Sequence, residues 1–263
     1  MLSTAEIQAA SDLLWRCWQL GDTIAKLPGA LRPATRAEGY AIQARFEALS
    51  RHPLFGWKIA ATSRAGQAHI NVSEPLAGRL LAEYVSESGA ELPFGINHMK
   101  VAEMEFAFRL GRDLPPRGTP YEVAEVMAAV DALHPAIEMP DSRFADFTVA
   151  GAPQLIADNA CAHVFVLGEP TTAAWRDVDL AQHRVVCRVG TLEREGKGEN
   201  VLGDPRLALT WLVNELSRLG LPLAAGQVAT TGTCITPVPI APGDAVQGDF
   251  GIFGRVSVKL RRD

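Results

Sequence analysis

The chain has 263 residues, 48% of them hydrophobic and 21% charged, which is enough to bury a sizeable core as one large domain or one domain with an appendage. A formal net charge of −5 leaves no basic stripe and excludes an ordinary nucleic-acid binder. No apolar run approaches the roughly 20 residues that cross a bilayer, the first residues lack the basic and apolar segments of a signal peptide, and the four cysteines show no paired spacing, so a cytoplasmic protein with reduced thiols and a small-molecule partner is expected.

In chain order, the first fifty residues read as helical. Ser3-x-x-Glu6 and Thr35-x-x-Glu38 have capping-box spacing. The first helix places Ile7, Ala10, Leu14 and Trp18 on one face, and Leu-Pro-Gly-Ala-Leu-Arg-Pro (27–33) separates it from the second. These helices form a candidate N-terminal segment, residues 1–54, ahead of a domain spanning 55–263. From Phe55 the texture changes to short strands between Gly and Pro, predicted at 56–62, 101–110, 133–139, 162–167, 184–189, 227–231 and 251–260. Short helices are predicted at 64–70, 121–130 and 153–158. A further helix starts with Asp204 as N-cap and Pro205 behind it and stops at Gly220. Residues 191–200 read as an exposed hairpin or loop. The class is α+β, mostly β with peripheral helices.

The chemistry is concentrated in carboxylates. In Val-Ala-Glu-Met-Glu-Phe-Ala-Phe (101–108) the period of two places Glu103, Glu105 and Ala107 on one strand face and Met104, Phe106 and Phe108 on the other. Glu138 lies in Ala-Ile-Glu-Met, where a lone buried carboxylate is costly unless paired or bound to a metal. An oxygen-only set of this kind suits Mg²⁺ or Mn²⁺ better than zinc. Lys58, flanked by Trp57 and Ile59, either points inward as an acid, base or carboxylate partner or lays its stem along the surface. Asp158 and Asn159 either bind a ligand or cap a helix, capping being the simpler account. Thr231 and Gly232, in Ala-Thr-Thr-Gly-Thr-Cys, can present a hydroxyl and a backbone amide to an anion. His134, His163 and Cys161 read as core residues, and Pro242-Gly243-Asp244 as a tight turn. The glycines at 248–254 do not open a helix, so no dinucleotide fingerprint is present, and neither a Walker A motif nor a G-x-S-x-G elbow occurs.

Gly-Trp-Lys-Ile-Ala-Ala-Thr-Ser, Glu-Pro-Leu-Ala-Gly, Ala-Glu-Met-Glu-Phe-Ala-Phe, Ala-Ile-Glu-Met-Pro-Asp-Ser-Arg, Ile-Ala-Asp-Asn-Ala, Val-Leu-Gly-Asp-Pro, Thr-Gly-Thr and the Pro-Gly-Asp turn occur in that order from about Gly56 to Leu260. Together they resemble the fumarylacetoacetate hydrolase superfamily, in the branch of the 2-keto-4-pentenoate hydratases and 4-oxalocrotonate decarboxylases. The resemblance implies a mixed β-roll or barrel-like core with helices packed outside and a homo-oligomer. It implies Mg²⁺ or Mn²⁺ held by Glu103, Glu105 and Glu138, acid–base chemistry at Lys58, and substrate contacts from Asp158, Cys161, Thr231 and Gly232. The implied activity is hydration of a 2-hydroxy-2,4-dienoate (2-oxo-4-enoate) to a 4-hydroxy-2-oxo acid in meta-cleavage of aromatic compounds. Decarboxylation of a 2-oxo-3-enedioate is the alternative. C–C hydrolysis of an acylpyruvate ranks lower, since the segment before Gly56 offers only His52 toward the usual His–Glu pair. A non-catalytic subunit in complex with a neighbouring pathway enzyme ranks with it. Two positions depart from the pattern: Leu76 follows Glu74-Pro75 where an acid is common, and Cys161 stands where a serine is common.

Overall fold

Both N-terminal capping boxes form. The Ser3 and Thr35 hydroxyls accept from the backbone N–H groups of Glu6 and Glu38, and those carboxylates accept from the cap N–H groups in return. They open α1 (Thr4–Leu20) and α2 (Arg36–Gln43), and a single turn, α3 (Phe46–Leu49), follows. The computed structural model describes residues 1–262. The expected face of α1 is turned inward, with Ala10, Leu14 and Trp18 buried and Ile7 half-buried. It packs on Leu27, Ile42 and Phe46 in a cluster that also takes in Leu81, Phe144 and Ala157, so the helices are seated on later parts of the chain.

Strand β1 (Leu54–Ala60) leads through α4 (Arg64–His69) to β2 (Leu76–Leu81), β3 (Val85–Glu87) and β4 (Ala90–Pro93). β5 (Val101–Leu110) has the predicted limits; α5 (Val123–Ala129) runs directly into β6 (Val130–Met139), and α6 (Ala152–Ala157) precedes β7 (Val164–Leu167). β8 (Arg184–Val189) and β9 (Leu192–Lys197) make a hairpin, so the segment expected as an exposed hairpin or loop at 191–200 supplies its second strand. The Asp204 carboxylate caps α7 (Pro205–Arg218), and β10 (Val228–Thr233), β11 (Val238–Pro239), β12 (Ala245–Asp249) and β13 (Arg255–Arg261) complete the chain.

The strands form two sheets. The larger runs β2-β1-β10-β5-β6-β7-β3, with β11 added to β5, and is mixed because β1 pairs parallel with β10 and β3 with β7. The smaller runs β4-β13-β12-β8-β9. Met104, Phe106 and Phe108 enter the main core, where Phe106 meets Phe250 edge-on at 5.2 Å.

Two sequence expectations need correction. β2, like the short β3, β4, β11 and β12, has no predicted counterpart; all six residues of β2 are buried, and a strand covered on both faces loses the period-two signal. Even its Arg79 is enclosed, ion-paired to Glu47 and lying over the Trp57 ring at 4.6 Å. The strand predicted from residue 251 begins at Arg255, since Gly251–Phe253 is a short 3-10 turn and the Phe250 N–H donates to the Gly254 carbonyl at 2.9 Å. Among the described residues, no helix is long and apolar enough to cross a membrane.

Candidate metal and substrate site

β5 and β6 pair antiparallel with Glu103 directly opposite Glu138. Like charges in that register repel, yet Glu105 joins them, and one carboxylate oxygen from each of the three lies within 4.8 Å of the others. Glu105 and Glu138 are fully buried, while Glu103 is half-buried and faces a cavity. Lys58 arrives from β1, two strands away across β10. Its side chain is 3% exposed, and its ammonium lies 3.0 Å from Glu138 Oε1 and donates to the Ala160 carbonyl at 3.1 Å. The inward orientation is therefore the one that forms, and the surface-lying stem is not.

Glu105 is oriented by a bulge. The pairing of β10 with β5 slips between Thr230 and Thr233, which lets the Gly232 N–H donate to Glu105 Oε2 at 2.9 Å beside the Thr230 hydroxyl, bound to the same oxygen. Gly232 has φ +101°, and a Cβ there would sit 2.1 Å from Thr62 Oγ1, so both backbone and space demand glycine. The other buried carboxylate oxygens are under-used: Glu105 Oε1 and Glu138 Oε2 have no hydrogen-bond partner, and Glu138 Oε1 has only the Lys58 ammonium.

Such a cluster is electrostatically incomplete. Three carboxylates and one ammonium sum to −2 when all are ionised. Burial, reinforced by the neighbouring carboxylates and opposed by Lys58, pushes Glu103 and Glu105 up to about 7 and Glu138 up to about 8. Burial alone would lower the Lys58 ammonium, but Glu138, Glu103 and Glu105 hold it above its ordinary range. Partnerless buried oxygens, an all-oxygen donor set and a charge deficit of two fit a hard divalent cation, which Glu103, Glu105 and Glu138 could hold.

The remaining candidates fall in different places. Cys161 lines the cavity, its thiol pushed up to about 12 by burial with Asp158 adding to the effect, which makes a thiolate nucleophile unfavourable. Asp158 is fully buried, ion-paired to Arg143 and accepting from the Ser142 hydroxyl at 2.7 Å, and is not among the cavity-lining residues. Thr231 donates to the Phe106 carbonyl at 2.8 Å, and Gly232 serves Glu105 as described; neither lines the cavity. Burial lowers both His134 and His163, the latter to about 3, so His163 accepts the Trp18 indole N–H at 2.8 Å as a neutral ring. His52 is exposed and away from the cavity.

Asn159, Ala160 and Cys161 are all left-handed, at φ 54°, 50° and 59°, a conformation that costs non-glycine residues energy. The Asn159 side chain holds the turn by accepting from the Arg79 N–H at 2.7 Å and donating to the Arg79 carbonyl at 2.9 Å. Gly78 lets this happen, since a Cβ there would lie 2.4 Å from the Asn159 carbonyl. The turn aims the Ala160 carbonyl at Lys58. The cavity, partly open to solvent, has a volume of about 740 Å³, and much of its wall comes from Ile70, Leu76, Met99, Phe147, Leu155 and Ile235. Apart from Leu76, these were not foreseen: they come from separate segments, and nothing local distinguishes them from core residues.

A mixed sheet that carries a buried carboxylate triad and a buried lysine beside an apolar cavity has the architecture of the fumarylacetoacetate hydrolase fold. No family model matches the chain. The chain is 34% identical over 258 residues to the 2-keto-4-pentenoate hydratase of Paraburkholderia xenovorans (strain LB400), covering 96% of this chain and 94% of that one. It is 31% identical over 230 residues to a 4-oxalocrotonate decarboxylase from Pseudomonas sp, covering 86% of each. Among solved structures, 4-oxalocrotonate decarboxylase from Pseudomonas putida G7, complexed with magnesium and adipate, superposes with a TM-score of 0.88 at 26% identity over 99% of both chains. The chain belongs to the hydratase/decarboxylase branch of the fumarylacetoacetate hydrolase superfamily.

Proposed function

We propose that the protein is a divalent-metal-dependent hydro-lyase that hydrates a 2-hydroxy-2,4-dienoate to a 4-hydroxy-2-oxo acid. The observation that carries this reading is the buried Glu103–Glu105–Glu138 cluster, with Glu105 Oε1 and Glu138 Oε2 partnerless and Lys58 at 3.0 Å from Glu138 Oε1, opening through Glu103 onto a largely apolar cavity. The relatives named as hydratases support the reaction class. Glu103, Glu105 and Glu138 would hold Mg²⁺ or Mn²⁺, which when bound supplies the Lewis acid that stabilises negative charge on a 2-oxo oxygen as it becomes an enolate.

The chain's own residues account for the rest. Lys58 keeps a proton at Nζ next to the cavity and can deliver it to the terminal carbon of the dienol, giving the conjugated ketone. Water then adds at the conjugated position. The Ala160 carbonyl, fixed by the left-handed turn, stops the Lys58 ammonium from swinging away. Leu76 and Leu155 contribute to the apolar part of the cavity wall.

The direct test is ultraviolet decay of 2-hydroxypenta-2,4-dienoate with Mg²⁺ and again with EDTA. Fast, EDTA-sensitive decay to the hydrated oxo acid is expected. Absence of decay of this and of longer 2-hydroxy-2,4-dienoates with the metal bound would sink the hydratase reading. The structural likeness to a decarboxylase keeps one rival in play, since loss of CO₂ from a 2-oxo-3-enedioate uses the same electron sink; CO₂ release from that substrate separates the two.

A pH signature follows from the raised carboxyl groups. Their folded values near 7 to 8 lie above the ordinary value of 4.5, so without metal the folded state binds more protons than the unfolded one between about pH 4.5 and 8. The cluster's contribution to stability is then full below that window and lost as pH rises through it. Stabilisation by saturating Mg²⁺, read as the Tm difference from an EDTA sample, should grow from pH 5.5 to 8.5. A difference that stays flat across that range would remove these groups as the ion's ligands.

A further inference from the structure

Resting on the reading of this cavity as a 2-oxo-enoate site, we infer that its substrate carries a single carboxylate and an apolar tail longer than that of a five-carbon dienoate. Of the residues lining the cavity, the ionisable ones are Lys58, His69, Glu103 and Cys161. Lys58 is committed to Glu138 and the Ala160 carbonyl. His69 is exposed at the end of α4, with its ring edge-on to Phe147 at 5.8 Å. Among the described residues, no arginine lines the cavity. Thr62, Ser63, Asn200, Thr233 and Thr236 also line the cavity but carry no charge, and Asn200 and Thr233 already donate to the Cys234 and Ile235 carbonyls. A second carboxylate against the apolar part of the wall, Ile70, Leu76, Met99, Phe147, Leu155 and Ile235, would therefore have no cation of its own, and burying an unpaired carboxylate is costly.

Size points the same way. The cavity is partly open to solvent, and its volume of about 740 Å³ leaves room beyond a five-carbon acid along the apolar wall. The apolar wall is also rigidly placed at Leu76. Arg36 donates to the Pro75 carbonyl at 2.9 Å and the Tyr40 hydroxyl accepts from the Ala77 N–H at 3.2 Å, so both neighbours of Leu76 are tied to α2. Tyr40 and Arg36 are in turn fixed by Glu215 of α7. Leu76 is the position singled out as a departure toward an apolar residue, and here it makes a wall that rejects charge rather than a group that moves protons.

The test uses the wild-type protein with Mg²⁺ and three dienoates: 2-hydroxypenta-2,4-dienoate, 2-hydroxyocta-2,4-dienoate and 2-hydroxyhexa-2,4-diene-1,6-dioate. KM is expected to fall about three- to fourfold per added methylene, and the dicarboxylate's kcat/KM to lie about 100-fold below that of the eight-carbon acid. Equal or better turnover of the dicarboxylate overturns the inference. Calorimetric binding of 2-oxohexanoate and 2-oxoadipate, which differ only in the second carboxylate, separates this inference from the reaction itself. Tighter binding of 2-oxohexanoate with no hydration of any dienoate would sink the hydratase reading and leave the inference standing. Equal binding, or binding of neither, overturns the inference. Ile70→Arg, at the half-buried end of α4, is expected to narrow the gap between the two oxo acids about tenfold; an unchanged gap overturns the placement of the tail against this wall.

Discussion

Glu105→Gln is expected to abolish Mg²⁺-dependent turnover and to weaken Mg²⁺ binding by at least about 100-fold, beyond the 10- to 100-fold typical for residues that merely support a ligand. The substitution keeps the side chain's volume and shape, so the site is not emptied. It replaces an anionic oxygen by a neutral amide at a position where Oε2 already receives the Gly232 N–H and the Thr230 hydroxyl. The partnerless Oε1 is the atom a cation would use, and an amide NH₂ placed there would face the other two carboxylates. Stability should move oppositely in the two states. Without metal the variant has one fewer buried carboxylate in a repulsive cluster, so its Tm at pH 8 should equal or exceed that of the wild type in EDTA. The wild type alone should gain stability on adding Mg²⁺, by about 2.7 kcal/mol at a concentration 100 times Kd. Undiminished Mg²⁺ binding by the variant, measured calorimetrically, would remove Glu105 from the ligand set.

The second large effect is at Lys58. Lys58→Ala should lower kcat by about 10²- to 10⁴-fold, the usual scale for a positioned acid or base, while Mg²⁺ still binds. The same ammonium also neutralises part of the cluster, and its loss leaves Glu138 uncompensated with both carboxylate oxygens buried. Removing one partner of a buried pair costs about 3–5 kcal/mol, so the metal-free variant should melt well below the wild type. Mg²⁺ should restore most of that loss, because the cation and the ammonium compete to balance the same carboxylates. A fully active Lys58→Ala protein would return Lys58 to a purely structural role. Poor turnover together with lost metal binding would mean that Lys58 builds the site rather than acts in it.

These effects rest on residues of unequal visibility in the sequence. Glu103 and Glu105 stand out because β5 alternates cleanly, with Met104, Phe106 and Phe108 on the opposite face. Both capping boxes, the Asp204 cap and the β5 limits are short-range features, written in spacing alone. β2 was invisible for the opposite reason: its residues are covered on both faces, and its one charge, Arg79, is neutralised by Glu47 from a helix about thirty residues earlier. Asp158 and Gly232 carried a recognisable signal but an ambiguous one. Their partners, Arg143 and Glu105, depend on how a turn and a bulge fall in three dimensions. The cavity wall is the least legible part, since Ile70, Met99, Phe147 and Ile235 are ordinary apolar residues until the chain folds them together.

The left-handed turn at Asn159–Cys161 has a consequence for how this protein can change over generations. A glycine at residue 160 would relax the turn and is the sort of replacement that drift or selection for robustness tolerates. The carbonyl that anchors Lys58 would stay in place, because the Asn159 side chain holds the turn through both backbone groups of Arg79. Residue 160 is therefore a point where thermostable descendants of this chain can gain robustness by taking glycine while Asn159 and Arg79 are kept.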